Sequence, residues 1–146
     1  PPPPPPPPGA SGPLVYEGQF AALNDLERCF EVETPGTAGS TTTDVDCDDA
    51  AAQTVGAFGT VTEVTLIFTA PPNDTLCISS EIDGSNLVKV KPCDGADDQI
   101  WDVTDTGAGT YRFASRNVAG QCLRSTNSGL TLDSCTDNNS LRFTFS

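Results

Sequence analysis

The chain is 146 residues long, enough for one hydrophobic core and not two, and at 36% its apolar content is lean. Twenty acidic residues against seven basic ones give a formal charge of −13, a surface that repels nucleic acid and anionic membranes. No uninterrupted apolar stretch is long enough to span a bilayer, and thirteen glycines with thirteen prolines suit short strands joined by turns rather than helices.

The sequence starts at Pro1 without a methionine, which reads as a processed or truncated piece of something longer. Pro1, Pro2, Pro3, Pro4, Pro5, Pro6, Pro7 and Pro8 form an unbroken tract. With φ fixed and no N–H, such a run is expected to be a polyproline II rod of roughly 25 Å. Gly9-Ala10-Ser11-Gly12 then reads as a flexible joint, so residues 1–13 are expected to be rod and linker and residues 14–146 a separate domain. The tract reads as a stiff spacer, as a ligand for aromatic grooves, or as a glycosylated shaft. It resembles the hydroxyproline-rich shafts of extracellular matrix glycoproteins in algal and plant walls. That resemblance makes the eight prolines candidates for hydroxylation and O-linked sugar.

Leu14-Val15-Tyr16 begins the first strand, and Phe20 to Phe30 should hold the next ones. Thr37 to Thr43 reads as a solvated Gly/Ser/Thr loop open to O-linked sugar. Asp44, Asp46, Asp48 and Asp49 cluster around Cys47, but a calcium loop of the EF-hand type would require glycine at Asp49 and glutamate at Val55. A solvated acidic turn fits better. Val61 to Phe68 is the strongest strand, β-branched and partly alternating. Asn73-Asp74-Thr75 and Asn138-Asn139-Ser140 are acceptor sequons for N-linked glycan, both in predicted turns, which makes Asn73 and Asn138 candidate attachment sites. Asp83-Gly84 turns a hairpin between Cys77-Ile78 and Leu87 to Val90. Tyr111 to Phe113, Cys122-Leu123 and Leu130 to Leu132 are separated by turns at Asn117 to Gly120 and Asn127 to Gly129. Leu141 to Phe145 closes the chain, its apolar period of two placing three side chains on one face.

These elements repeat. Cys29, Cys77 and Cys122 stand 48 and 45 residues apart, each followed at once by an apolar residue, Phe30, Ile78 or Leu123. Nine residues before each stands a phenylalanine, Phe20, Phe68 or Phe113. Each has a downstream partner, Cys47, Cys93 or Cys135; six residues on lie Gln53, Gln99 and Leu141, and eight on lie Val55, Trp101 and Phe143. The repeats run over about 14–57, 59–104 and 107–146.

All six cysteines fall in these columns, which argues for one disulfide per repeat and an oxidising, extracellular setting. Each bridge closes a loop of moderate length and contributes on the order of 3 kcal/mol in the chain-entropy model. Metal binding is disfavoured, because there is no histidine and no C-x-x-C pair. No repeat can bury its own apolar face, so three repeats of four short strands are expected to share one axis and one core in a closed, all-β structure. The phenylalanine column, the residue after each first cysteine, and Val55, Trp101 and Phe143 are the expected core.

The pattern resembles the ricin-type β-trefoil lectin family over nearly everything after Pro13. The family's Gln-x-Trp signature stands intact as Gln99-Ile100-Trp101 and degenerate as Gln53-Thr54-Val55 and Leu141-Arg142-Phe143. The resemblance implies a β-trefoil of three repeats and a shallow sugar site on each. Such a site uses an aspartate two residues after the first cysteine, an aromatic two before the second, and an Asn or Asp beside the signature Gln. Carboxylate and amide meet sugar hydroxyls while the ring stacks on the apolar sugar face. The matching positions hold Glu31, Val45, Ala52 and Gln53 in the first repeat. They hold Ser79, Lys91, Asp98 and Gln99 in the second, and Arg124, Asp133, Ser140 and Leu141 in the third. Candidate glycan-binding residues are therefore Asp98, Gln99, Ser79, Glu31 and Gln53. Every set departs from the pattern, and the signature residues also serve the core. Tyr16 and Tyr111 are candidates for a replacement platform that sequence does not place.

With no histidine and no cysteine outside the repeat columns, nothing points to an enzyme or a cofactor. The leading expectation is a non-catalytic structural module of a secreted matrix, cell-wall or fibril glycoprotein, its proline tract a shaft or a strap on a neighbour. Partners would be neighbouring copies or other matrix glycoproteins. The alternative is a carbohydrate-binding module on a proline linker, with polysaccharide as its partner.

Overall fold

The computed structural model describes residues 9–10, 12–33 and 35–146; the proline tract, and with it the expected rod and its modification, lies outside the described residues. Twelve strands follow in order: β1 (Leu14–Ala22), β2 (Arg28–Glu31), β3 (Thr43–Asp46), β4 (Thr54–Gly59), β5 (Glu63–Phe68), β6 (Leu76–Ile82), β7 (Val88–Pro92), β8 (Trp101–Gly107), β9 (Thr110–Ser115), β10 (Gln121–Thr126), β11 (Gly129–Ser134) and β12 (Phe143–Phe145). Short 3₁₀ turns at Ala51–Gln53, Asp97–Gln99 and Asn139–Leu141 precede β4, β8 and β12. The expected strand from Val61 starts two residues late. Thr60 Oγ1 accepts from the Thr62 and Glu63 amides, which holds Val61 in an exposed turn.

Six strands close on themselves. β1 pairs with β4, β4 with β5, β5 with β8, β8 with β9, β9 with β12, and β12 returns to β1 through Phe20–Phe145 and Ala22–Phe143. Closure leaves this barrel without an edge. The other six strands form three hairpins, β2–β3, β6–β7 and β10–β11, one per repeat, inserted between consecutive barrel strands.

The repeat columns are the core. Phe20, Phe113, Phe30, Ile78, Leu123, Val55, Trp101 and Phe143 have no exposed surface, and Phe68 is 2% exposed. Phe20 and Phe143, from opposite ends of the chain, stack with centroids 4.7 Å apart. Trp101 Nε1 donates to the Ile78 carbonyl at 3.0 Å, so the largest core residue buries no unpaired donor. The disulfides pair Cys29 with Cys47, Cys77 with Cys93 and Cys122 with Cys135, one in each hairpin.

The hairpins clasp one another across the three-fold axis. The loop expected to be solvated at Thr37–Thr43 is instead built into this cap. Gly39 N donates to Val90 O at 2.8 Å, Val90 N donates to Ser40 O at 2.7 Å, and Thr42 is buried with its Oγ1 accepting from Leu130 N. Thr131 Oγ1 donates to Asn86 O and completes the ring of contacts. Gly129 sits at φ +140°, and a Cβ there would lie 2.2 Å from the Thr42 carbonyl, so only glycine lets the first and third hairpins approach this closely.

The expected flexible joint is docked against the barrel. Gly9 adopts φ +81°, and a Cβ on it would fall 2.3 Å from the Cys93 carbonyl. Ala10 packs on Phe58, Ile67, Cys77 and Cys93, a small apolar cluster separate from the main core. Gly12 lies against Gly59, whose amide donates to the Pro13 carbonyl at 2.8 Å. The outward face of β4–β5 carries apolar residues that something must cover, and the linker is the available cover. Removing residues 1–13 should leave the head folded, lower its melting temperature by a few degrees, and speed hydrogen exchange at the Gly59 amide at least about tenfold. An unchanged Gly59 exchange rate would mean that the linker is not held there in solution.

Candidate functional site

Each hairpin is followed by a 3₁₀ turn that folds back against it, and the positions matched to sugar sites face one another in that angle. In the first repeat the buried Gln53 reaches under the hairpin. Its Nε2 donates to Asp46 O at 2.7 Å and to Glu31 Oε1 at 3.1 Å, and its Oε1 accepts from Asp48 N at 3.0 Å. Glu31 is thus turned inward to an amide. Arg28 pairs with both Asp44 and Asp46 across the β2–β3 register, so two of the four aspartates around Cys47 are ion-paired, while Asp48 Oδ1 accepts from the Ala50 amide.

Gln99 occupies the equivalent place in the second repeat. It is fully buried, its Nε2 donates to Pro92 O at 2.9 Å, and its Oε1 accepts from Asp94 N at 3.0 Å. Both signature glutamines therefore splint the backbone on either side of the second cysteine. Both amides are also buried, although the sequence alone offered both as site residues.

The remaining groups of the second repeat make a different arrangement. Buried Ser79 donates its hydroxyl to Asp98 Oδ2 at 2.6 Å while accepting from Glu81 N at 3.0 Å. Lys91 Nζ stands 3.6 Å from the same Asp98 oxygen and 3.0 Å from Glu81 Oε2. Glu81 hydrogen-bonds Lys91 and, with the Asp98 charge, raises its pKa, holding the ammonium charged. Ser79 and Lys91 both hold Oδ2, so Asp98 Oδ1 has no hydrogen-bond partner among the described residues, on a side chain that is 13% exposed. The result is an oriented carboxylate with one acceptor free, rimmed by an ammonium and a second carboxylate. Sequence reasoning named Ser79 and Asp98 and missed Glu81. Its signal was the two-residue spacing from Ser79, which brings Glu81 onto the face of the hairpin that carries Lys91.

In the third repeat Arg124 and Asp133, paired across β10 and β11, occupy the place of ligand and platform. Ser140 donates its hydroxyl to Asn138 Oδ1 at 2.8 Å, and Leu141 is buried where the other repeats carry glutamine. The Ser134 amide and the Arg124 guanidinium hold the Asp133 carboxyl below the usual carboxylate range.

Tyr16 and Tyr111 do come together, with ring centroids 4.4 Å apart and Phe145 beside them, but at the strand ends remote from the hairpins. Burial, with Tyr111 next to it, raises the Tyr16 pKa. Of the two sequons, Asn138 is exposed and Asn73 is buried.

No family model matches the sequence, and no curated protein resembles it significantly. Solved structures do. ThreeFoil, a designed three-fold symmetric protein, superposes with a TM-score of 0.69 at 16% identity over 88% of this chain and 96% of its own. The lectin of the Vibrio vulnificus hemolysin/cytolysin, with N-acetyl-D-lactosamine bound, gives 0.62 at 16% identity over 90% and 93%. That lectin is a β-trefoil, and the superposition covers the barrel and hairpins of this chain almost throughout. The fold is a β-trefoil. A non-toxic homologue of type II RIPs from Momordica charantia (bitter gourd), in complex with α-methyl-D-galactoside, gives 0.66 at 20% identity over 91% of this chain; the trefoil spans about half of that protein, 48%. Identities this low establish the trefoil's architecture and leave its chemistry to its own residues.

Two outcomes follow from the geometry. Gln99→Ala removes two hydrogen bonds inside the protein and should destabilise the trefoil by about 2–3 kcal/mol in a urea melt with disulfides intact; an unchanged midpoint would contradict the splinting role. The Asp133 carboxyl is depressed, so its stabilising contribution is complete above the ordinary carboxylate range and is lost as pH falls through its lowered value. A carboxyl NMR titration should place its midpoint below that of ordinary aspartates, and Arg124→Ala should move it only part of the way back because the Ser134 amide remains.

Proposed function

We propose that the chain is a non-catalytic carbohydrate-binding module of a secreted protein, recognising sugar hydroxyls at its second hairpin and joined to its proline tract by the docked linker. The observation that carries this is Asp98, held through Oδ2 by Ser79 and Lys91 with Oδ1 left to accept from a ligand. A carboxylate fixed in this way loses little freedom on accepting a hydroxyl, and a charge-assisted bond of this kind contributes about 1.5–3 kcal/mol. Lys91 and Glu81 add a donor and an acceptor at the rim, the mixed set that vicinal hydroxyls require. Similarity to trefoils with galactoside and lactosamine bound supports the same reading. The three disulfides fit an extracellular setting.

A broad glycan array followed by calorimetry tests this. Wild type should bind some glycan saturably, and Asp98→Asn should weaken it at least about tenfold with near-ultraviolet dichroism unchanged. No binding to any glycan would sink the proposal.

The structural, matrix-assembly reading competes, and the docked linker favours it, since a shaft entering at a defined place suits ordered assembly. Sedimentation of the chain lacking residues 1–13 separates the two. Self-association that disappears with the linker, in a head that binds no glycan, would put assembly first.

A further inference from the structure

The two sequons look alike in sequence and differ completely in the fold. Asn73 is 6% exposed, its Oδ1 accepting from Gly36 N at 2.8 Å and its Nδ2 donating to Glu33 O at 3.1 Å. One carboxamide thereby ties the loop after β2 to the turn before β6, with 37 and 40 residues separating it from its partners. The nitrogen that would carry a sugar is the nitrogen making this clasp. Gly36 is packed just as closely, since a Cβ on it would fall 2.8 Å from Val32, 2.9 Å from Leu76 and 3.1 Å from Asn73 Oδ1, so the loop has no slack with which to release the clasp.

Asn138 presents the opposite picture. It is exposed, in extended conformation at φ −82° and ψ 141°, and caps the 3₁₀ turn Asn139–Leu141. Its Oδ1 accepts from both the Ser140 amide at 2.9 Å and the Ser140 hydroxyl at 2.8 Å. Pinning the oxygen leaves Nδ2 on the other side of the carboxamide, without a hydrogen-bond partner among the described residues. Its sequence neighbours Thr136, Asp137 and Asn139 are exposed as well.

We infer that Asn138 is the N-glycosylated residue of the secreted protein and that Asn73 is a structural clasp that must stay unmodified. The donor is a lipid pyrophosphate-linked oligosaccharide. Nδ2 attacks the anomeric carbon, the new C–N bond forms as the C–O bond to pyrophosphate breaks, and the Nδ2 proton passes to a base of the transferase. Transfer precedes folding, so selection between the sites acts afterwards: a sugar on Asn73 cannot enter a site that closed, and such chains fail to fold. Asn138 belongs to the turn that follows the third hairpin, whose Arg124 and Asp133 already pair with each other. The inference does not depend on sugar binding by the module itself.

The full chain, secreted from a eukaryotic host, is mapped by glycopeptide mass spectrometry before and after peptide N-glycosidase digestion in heavy-oxygen water. Occupied Asn138 and bare Asn73 are expected. Asn138→Asp keeps an oxygen to cap the turn, and it should remove the entire glycan mass while leaving the melting temperature within about two degrees. Asn73→Gln should keep the glycan and lower the melting temperature by several degrees. A glycan on Asn73 of the folded protein, or a bare Asn138, would overturn the inference; if Asn73→Gln is not secreted, the wild-type map alone decides.

Discussion

Everything in this protein depends on the pairing of β12 with β1. Three residues at the end of the chain, Phe143 to Phe145, must reach the first strand before any repeat has an interior. Each repeat contributes one phenylalanine, one apolar residue beside its first cysteine and one side chain at the start of its last strand, and no single repeat encloses these. The disulfides cannot substitute for that closure. All three lie in the hairpins, while no disulfide joins the six barrel strands to one another. Covalent bonds thus keep each unit of the cap in shape, and the shared core makes three units into one protein.

On that common frame the three hairpins have taken different chemistry. In the first, the glutamine that splints the backbone also engages Glu31. In the third there is no such glutamine; Leu141 fills its place, the Asn138 cap organises the turn, and an arginine–aspartate pair covers the surface. Only in the second do splint and surface separate, with Gln99 below and Asp98 above. The frame tolerates this because the turn needs its backbone groups satisfied and is indifferent to which side chain satisfies them.

The charge imbalance is managed by position. Among the described residues, six of the seven basic side chains form ion pairs and Lys89 stands outside them. Arg116 is the clearest case. Glu63 and Asp102 face each other across β5 and β8, where two carboxylates would repel, and the guanidinium bridges them at 2.8 and 2.9 Å. Such exposed pairs add little stability each. Their effect is to remove local repulsion at a barrel seam while the molecule as a whole stays strongly acidic.

The period of the cysteine columns, with the apolar residues locked to them, was enough to specify the barrel, the disulfide partners and the nine-residue core, because buried packing repeats with the fold and writes itself into sequence spacing. The roles of polar residues did not follow from spacing. Gln53 and Gln99 carry the signature of a sugar site and point into the protein, since a buried turn claims amides before solvent does. Asn73 and Asn138 share one motif and have opposite environments, because burial depends on which distant loop arrives beside each. Gly9 and Ala10 read as a joint and act as a strap, for the apolar face that holds them, Phe58, Ile67 and the second disulfide, exists only once β4, β5 and β6 have come together. Local sequence determined which residues repeat; only long-range contact decided which polar atoms were left to meet anything else.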